Sequence, residues 1–329
     1  MRSVDVDEDD ELGALEDKTE PLTLRSRRTE RARKRQARKA GKTGHQPYHY
    51  LMSLPYELVI EILSFLRPSD IFNLQRVNRS FHLFITDSEG SIARAISSWR
   101  YVCLGRCFRS PVLIEQMDPA IRVFVQSPHR QDQLNIYRRF PLHVQPPDPG
   151  ELCTCLTCLQ RWLSLCLVVD FAHWQRNLDI GEPIPMIPPG RLPEWNRALV
   201  TSNAAIVRKA LRSPLWHARL LETHLDSTTR SIRRHTENKG NKRQRFFMSK
   251  EDLESGSDRF LAGPGPPSLD IPYHRDNYYM LEAYLPERAW NATSKSWTYV
   301  PAEQHDKDVE YIKSTKTRTY SRHDGSLTR

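Results

Sequence analysis

Cys153, Cys155 and Cys158 form the tightest grouping of soft ligands in the chain, with Cys166 further along. Thiolates three residues apart share one side of a helix's first turn and bind zinc at about 2.3 Å, given two more ligands from elsewhere. His143, His173 or the pair Cys103 and Cys107 are the candidates for those places. The same residues also fit a plainer pattern. Cys155, Leu159, Trp162, Cys166, Val169 and His173 alternate by four and three, the spacing of a buried helical stripe on which a free thiol acts as a small hydrophobe. No second Cys-x-x-Cys and no His-x-x-x-His stands nearby, so the expectation is a structural, metal-free cluster and no cofactor. Zinc on Cys153, Cys155 and Cys158 is the alternative. His173, beside Trp174, reads as a packing histidine. A phosphate-cradling glycine loop, a nucleophile elbow and an acid/base carboxylate pair in a recognisable setting are absent, and the chain reads as non-enzymatic.

The stretch with the strongest periodicity lies nearer the N-terminus. Ser53 is placed to cap a helix starting at about Pro55, with Glu57 near the positive end of its dipole. Leu58, Ile62 and Leu66 recur at i, i+4 and i+8 with Val59 and Leu63 alongside, one wide apolar stripe, and Pro68 is expected to stop the helix. A second helix, capped by Ser69 or Asp70, carries Ile71, Leu74 and Val77, and a third includes Phe81, Phe84 and Ile85. Three helices this short bury only part of their apolar surface among themselves, so some of it should meet a partner or the rest of the chain.

These residues resemble an F-box. Its pattern is Leu-Pro, a carboxylate two residues on, Leu, an apolar Ile-Leu pair, a Leu ending the first helix, Asp with an apolar neighbour, and a closing Val. Leu54, Pro55, Glu57, Leu58, Ile62, Leu63, Leu66, Asp70, Ile71, Leu74 and Val77 fill those positions, while Asn78 departs from the frequent Cys or Ser. The resemblance implies docking to a Skp-type adaptor, and through it to a cullin and a RING subunit. Leu54, Pro55, Leu58, Ile62, Leu63, Leu66, Ile71, Leu74 and Val77 would bear the contact. It also implies a non-catalytic substrate receptor of a ubiquitin ligase, whose protein substrate the sequence does not name.

Charge and composition frame that module. The 329 residues carry a net charge of +9, unevenly spread, with an acidic head from Asp5 to Asp17 and a basic run from Arg25 to Lys42. Neither block has apolar periodicity, so residues 1–46 read as a disordered arm. Arg27, Arg28, Arg31, Arg33, Lys34, Arg35, Arg38 and Lys39 are the nuclear-import candidates. The same run and the 230–245 segment make a nucleic-acid- or chromatin-associated protein the alternative function, although no zinc-finger, helix-turn-helix or RNA-module signature accompanies them. The longest apolar run, Leu165–Val169, is far too short to cross a bilayer. The expectation is an intracellular protein of nucleus or cytoplasm, with reduced cysteines and no membrane partner.

Beyond the F-box, assigned to residues 47–90, Ile92, Ala93, Ile96, Trp99 and Cys103 predict a helix, and another is expected over 129–140. Prolines at 141, 146, 147 and 149 mark a loop, and those from Pro183 to Pro193 an extended segment. The segment from Cys155 through Val169-Asp170-Phe171-Ala172-His173-Trp174-Gln175 resembles the post-F-box region of fungal F-box proteins of unassigned substrate. Residues 194–225 return to helical spacing. Residues 228–268 are expected as a mobile insertion, 278–299 as a closing helix and short strands, and 306–329 as a fraying polar tail. The fold class is mainly α, with residues 91–305 as the substrate-recognition domain.

Overall fold

The computed structural model describes residues 30, 31, 34, 35, 51, 54–128, 130, 134, 141–188, 191–238 and 246–324. The chain divides into two compact units, Met1–Ser53 and Leu54–Arg329. In the first, Glu30, Arg31, Lys34 and Arg35 are helical and exposed. The acidic head, and Arg27, Arg28, Arg33, Arg38 and Lys39 of the basic run, lie outside the described residues, as does most of 129–140.

The second unit is mainly helical, and its first three helices are short for readable reasons. Helix α1, Tyr56–Ser64, enters from Pro55 with Glu57 in its first turn. Helix α2, Pro68–Gln75, begins at the proline expected to act only as a stop. At the first helical position a proline lacks only an N–H that would go unpaired anyway. Asp70 is therefore the third residue of α2, where it accepts from the Arg67 N–H at 3.4 Å, and Ser69 lies inside the helix. Helix α3, Arg79–Asp87, is capped by Asn78, whose Oδ1 accepts from the Phe81 N–H at 2.9 Å. The departure from the family pattern at this position thus has a local function.

Helices α4 (Glu89–Arg100), α5 (Leu104–Cys107) and α6 (Pro119–Val125) follow. Helix α7, Leu156–His173, is the axis of the fold, with every side chain from Arg161 to Phe171 buried. A short α8, Gln175–Ile180, ends at Gly181 in the left-handed conformation. Residues 182–188 carry no helix or strand. Helices α9 (Glu194–Arg212) and α10 (Pro214–Glu237) are separated at Ser213, whose Oγ accepts from the Trp216 N–H. Both pack on α7, and α10 also packs on α4 and α2. One apolar core runs from Val59, Leu63 and Ile71 in the first helices through Trp162 and Phe171 to Tyr278 and Tyr284.

The polar interior is concentrated at Asp170, which is fully buried. Its carboxylate accepts from Arg275 Nε at 2.8 Å and Nη2 at 2.9 Å, from the Tyr278 hydroxyl at 2.8 Å and from Asn203 Nδ2 at 3.3 Å. The C-terminal turns are thereby tied to α7 and α9, with the burial of the charge offset by its partners.

Two expectations are corrected. The segment expected as an insertion from residue 228 begins inside helix α10, which continues to Glu237 with Thr228, Ser231 and Ile232 buried. Leu221, Leu225, Thr228 and Ile232 extend one helical stripe beneath a basic outer side, which the polar composition conceals. Residues 239–245 lie outside the described residues. Beyond them, helix α11, Lys250–Ser255, ends at Gly256 with φ +58, where Arg100 crosses so closely that an added Cβ would lie 2.8 Å from its Nη1. The buried Asp258 then accepts from the amides of Val102, Cys103 and Leu104 at 2.7–2.9 Å, holding the start of α5 from outside. Nor is 306–329 a fraying tail from its start. Helix α12, Gln304–Asp324, packs on α6 and α7, with Val309 and Ile312 against the apolar residues there. Two apolar anchors in a polar stretch are too few to show in composition. Ahead of it, strands β1 (Arg288–Asn291) and β2 (Ser296–Tyr299) form an antiparallel hairpin pairing Trp290 with Trp297.

Candidate functional site

Helix α1 is apolar on two sides, and the fold uses only one. Val59 and Leu63 are buried and Leu66 half-buried, whereas Leu58, Ile62 and Phe65 are 46%, 41% and 65% exposed. Successive positions rotate by about 100°, so residues 58, 62 and 65 make a separate stripe from 59, 63 and 66. Leu66 therefore does not continue the Leu58–Ile62 stripe. Phe65, which the sequence reading passed over, takes that place, and its signal was its i+7 spacing from Leu58. Pro55 and Val77 are exposed, and Leu54 and Leu74 are half-buried. Leu63 and Ile71 have no exposed surface and support the outer side chains from beneath. Tyr56 and Leu83 add further exposed apolar surface on α1 and α3.

The opposite side of these helices is fastened to the body by polar contacts. Glu222, buried on α10, accepts from the Ser69 N–H at 2.9 Å and the Ser69 hydroxyl at 2.6 Å, at the positive end of α2. Arg100 Nη2 donates to the Phe65 carbonyl at 2.8 Å, while its Nη1 donates to the carbonyls of Ser255 and Gly256. Trp99 Nε1 donates to the Ser64 carbonyl, and Phe72 packs on Trp216 with ring centroids 4.8 Å apart. Orphan carbonyls at the end of α1 are satisfied this way, so its exposed stripe sits on a fixed backbone.

The second locus is the thiol cluster. Cys155 caps α7 and Cys158 lies in its first turn, while Cys153 directly follows the bridge between Leu113 and Leu152, its N–H donating to the Val112 carbonyl at 2.9 Å. The fold brings them a partner absent from the sequence reading, His305 on α12. Its Nδ1 lies 3.3 Å from Cys155 Sγ, 3.3 Å from Cys158 Sγ and 3.9 Å from Cys153 Sγ. Burial lowers the pKa of the His305 ring below its ordinary value. One turn along α12, Asp308 accepts from the Thr157 N–H at 2.8 Å and its hydroxyl at 2.7 Å. Burial raises the Asp308 carboxyl, but these bonds outweigh it and hold the group below the usual carboxylate range.

The other proposed ligands lie elsewhere. His173 is exposed against Trp174, and Cys103, Cys107 and Cys166 belong to the main core. His143 is buried edge-on to Tyr278, and burial lowers its pKa to about 4, so it is neutral at physiological pH. It borders an open groove of 590 Å³ lined by Leu142, Met186 and Tyr273. In the basic 230–245 segment, Arg230 pairs with Asp179 at 2.8 Å, and Arg234 donates to the Leu178 carbonyl and, at 3.1 Å, to Ser231 Oγ. Those two arginines are engaged in contacts within the fold. Among the described residues, no helix is long and apolar enough to cross a membrane.

A family model described as F-box-like matches residues 51–90. Comparison with curated proteins and with solved structures gives no match.

Proposed function

We propose, from the premise that this is an F-box domain protein, that it is the substrate-receptor subunit of a Skp-cullin-F-box ubiquitin ligase. The carrying observation is the outer stripe of α1. Leu58, Ile62 and Phe65 are exposed on a helix whose other side is already buried and whose end is already hydrogen-bonded. An apolar stripe fixed in that way suits a groove on an adaptor, with Pro55 and Val77 at its margins. The role is positional. One surface holds the ligase and the rest of the Leu54–Arg329 unit holds a protein target, whose lysines are then concentrated near the conjugating enzyme carried by other subunits. No catalytic residue of this chain is needed.

The test is co-purification with a Skp-type adaptor. Replacing Leu58 and Ile62 together with Asp places two charges in an apolar contact, and a loss of about 100-fold or more in affinity is expected. Both side chains are well exposed, so the variant should melt with the wild type. Unchanged co-purification of a folded double variant would sink the docking model.

A further inference from the structure

We propose that Cys153, Cys155, Cys158 and His305 bind one structural zinc ion that pins α12 to the start of α7. The four ligand atoms lie within 4.8 Å of one another. Zinc bonds of about 2.3 Å to sulfur and about 2.0 Å to nitrogen place tetrahedral S···N pairs roughly 3.5 Å apart. The observed 3.3, 3.3 and 3.9 Å bracket that value, so the site forms with only small movements of side chains. Three thiolates with one imidazole are a closed set typical of structural zinc, with no position left for substrate.

The backbone around the sulfurs is arranged to support metal-bound thiolates. Backbone N–H groups point at each sulfur: Val112 at Cys158 (3.4 Å), Cys158 at Cys155 (3.4 Å) and Cys155 at Cys153 (3.5 Å). Such donors are the outer contacts that orient and stabilise metal-bound sulfur. Cys155 and Cys158 also sit at the positive end of α7, an 18-residue helix. Three thiolates and a neutral imidazole leave a zinc site with net charge of about −1. Arg161, one turn beyond Cys158, is buried with Nε and Nη2 lacking hydrogen-bond partners.

A metal also meets a structural need. The thiols belong to a second, small core whose other buried members are Ile114, Met117, Val125 and Val309. So little apolar surface is a weak hold on a 21-residue helix, and small cores commonly rely on a metal or cross-link. The site is separate from the F-box face, and adaptor binding should survive its loss.

The experiment uses the full chain expressed with zinc in the medium. Elemental analysis should give about one zinc per chain, and chelation should lower the melting temperature, with added zinc restoring it. Cobalt exchanged into the site should show tetrahedral and thiolate charge-transfer absorption. His305→Ala should weaken metal binding at least tenfold, His305→Cys should retain it, and Cys155→Ser should lose it. Should the cysteine variant fail to fold, the two His305 variants still decide. Substoichiometric zinc with a melting temperature indifferent to chelator and to added zinc would overturn the proposal. So would a His305→Ala protein whose zinc affinity and cobalt spectrum match the wild type.

Discussion

Helix α1 sends Val59 and Leu63 into a core that continues through Trp162 to Tyr284, whereas the start of α7 sends Cys153, Cys155 and Cys158 into a core of a few residues closed by Val309. The first region has apolar contact to spare, and its surplus, Leu58, Ile62 and Phe65, stands in solvent. The second has little, and its central side chains are three thiols gathered around His305. Where burial is ample, a helix can hold an apolar stripe in reserve for a partner, because stability comes from its other side. Where burial is scarce, a few directed bonds must fix the geometry.

The comparison is broken most sharply by truncating the inner stripe. Leu63→Ala deletes a fully buried side chain from the continuous core and should cost about 2–5 kcal/mol, read as a fall in denaturation midpoint. Ile62→Ala, on the adjacent but exposed position, should change stability by about 0.5 kcal/mol at most while weakening adaptor binding. Equal effects of the two on stability would show that the α1 stripes are not divided as described.

Acid should sharpen the comparison by striking the large core. His224 is fully buried among Phe108, Phe171 and Tyr284, its Nε2–H donating to the Tyr284 carbonyl at 2.7 Å. Burial lowers its pKa to about 4, while in the unfolded chain it keeps its ordinary value of 6.5. Between these values the unfolded state binds the extra proton, so stability rises with pH and is lost as pH falls from 6.5 towards 4. At about 1.4 kcal/mol per unit, this one group contributes up to roughly 3 kcal/mol over the window. His224→Gln keeps a donor but cannot titrate there, and denaturant melts from pH 4 to 7 should show a shallower slope. An unchanged slope would remove His224 as the sensor.

The two regions were unequally legible, for a physical reason. The F-box helices are contiguous, so the ordered run from Leu54 to Val77 carried both periodicity and family pattern. What it lacked was direction: Leu58 and Leu63 have the same chemistry, and only packing against α4 puts one outside and one inside. The thiol region is discontinuous. Three sulfurs lie within six residues, but His305 stands 147 residues beyond Cys158, in a segment whose composition reads as a tail. A histidine becomes a candidate ligand only once α12 is known to dock, and Val309 and Ile312 alone gave no periodic signal of that. The continuation of α10 past residue 228 was visible in Leu225, Thr228 and Ile232, but the surrounding arginines masked it.

The smallest effect is expected at the polar contact that docks α12 beside the thiols. Asp308 accepts two hydrogen bonds from Thr157, at the first turn of α7, and a third from Gln304 Nε2 at 3.0 Å on its own helix. Asp308→Ala removes the acceptor for the Thr157 N–H, and loss of such a cap costs about 1 kcal/mol. That is too little to unfold the unit, whose main core is untouched. It should instead appear as faster amide exchange in 304–312 and in the first turn of α7, with exchange in α1 and α10 unchanged. The regional readout is what makes the test informative. Faster exchange spreading to Val59 and Leu63 would mean that the two cores open together, and the contrast between an apolar region and a ligand-held one would fall.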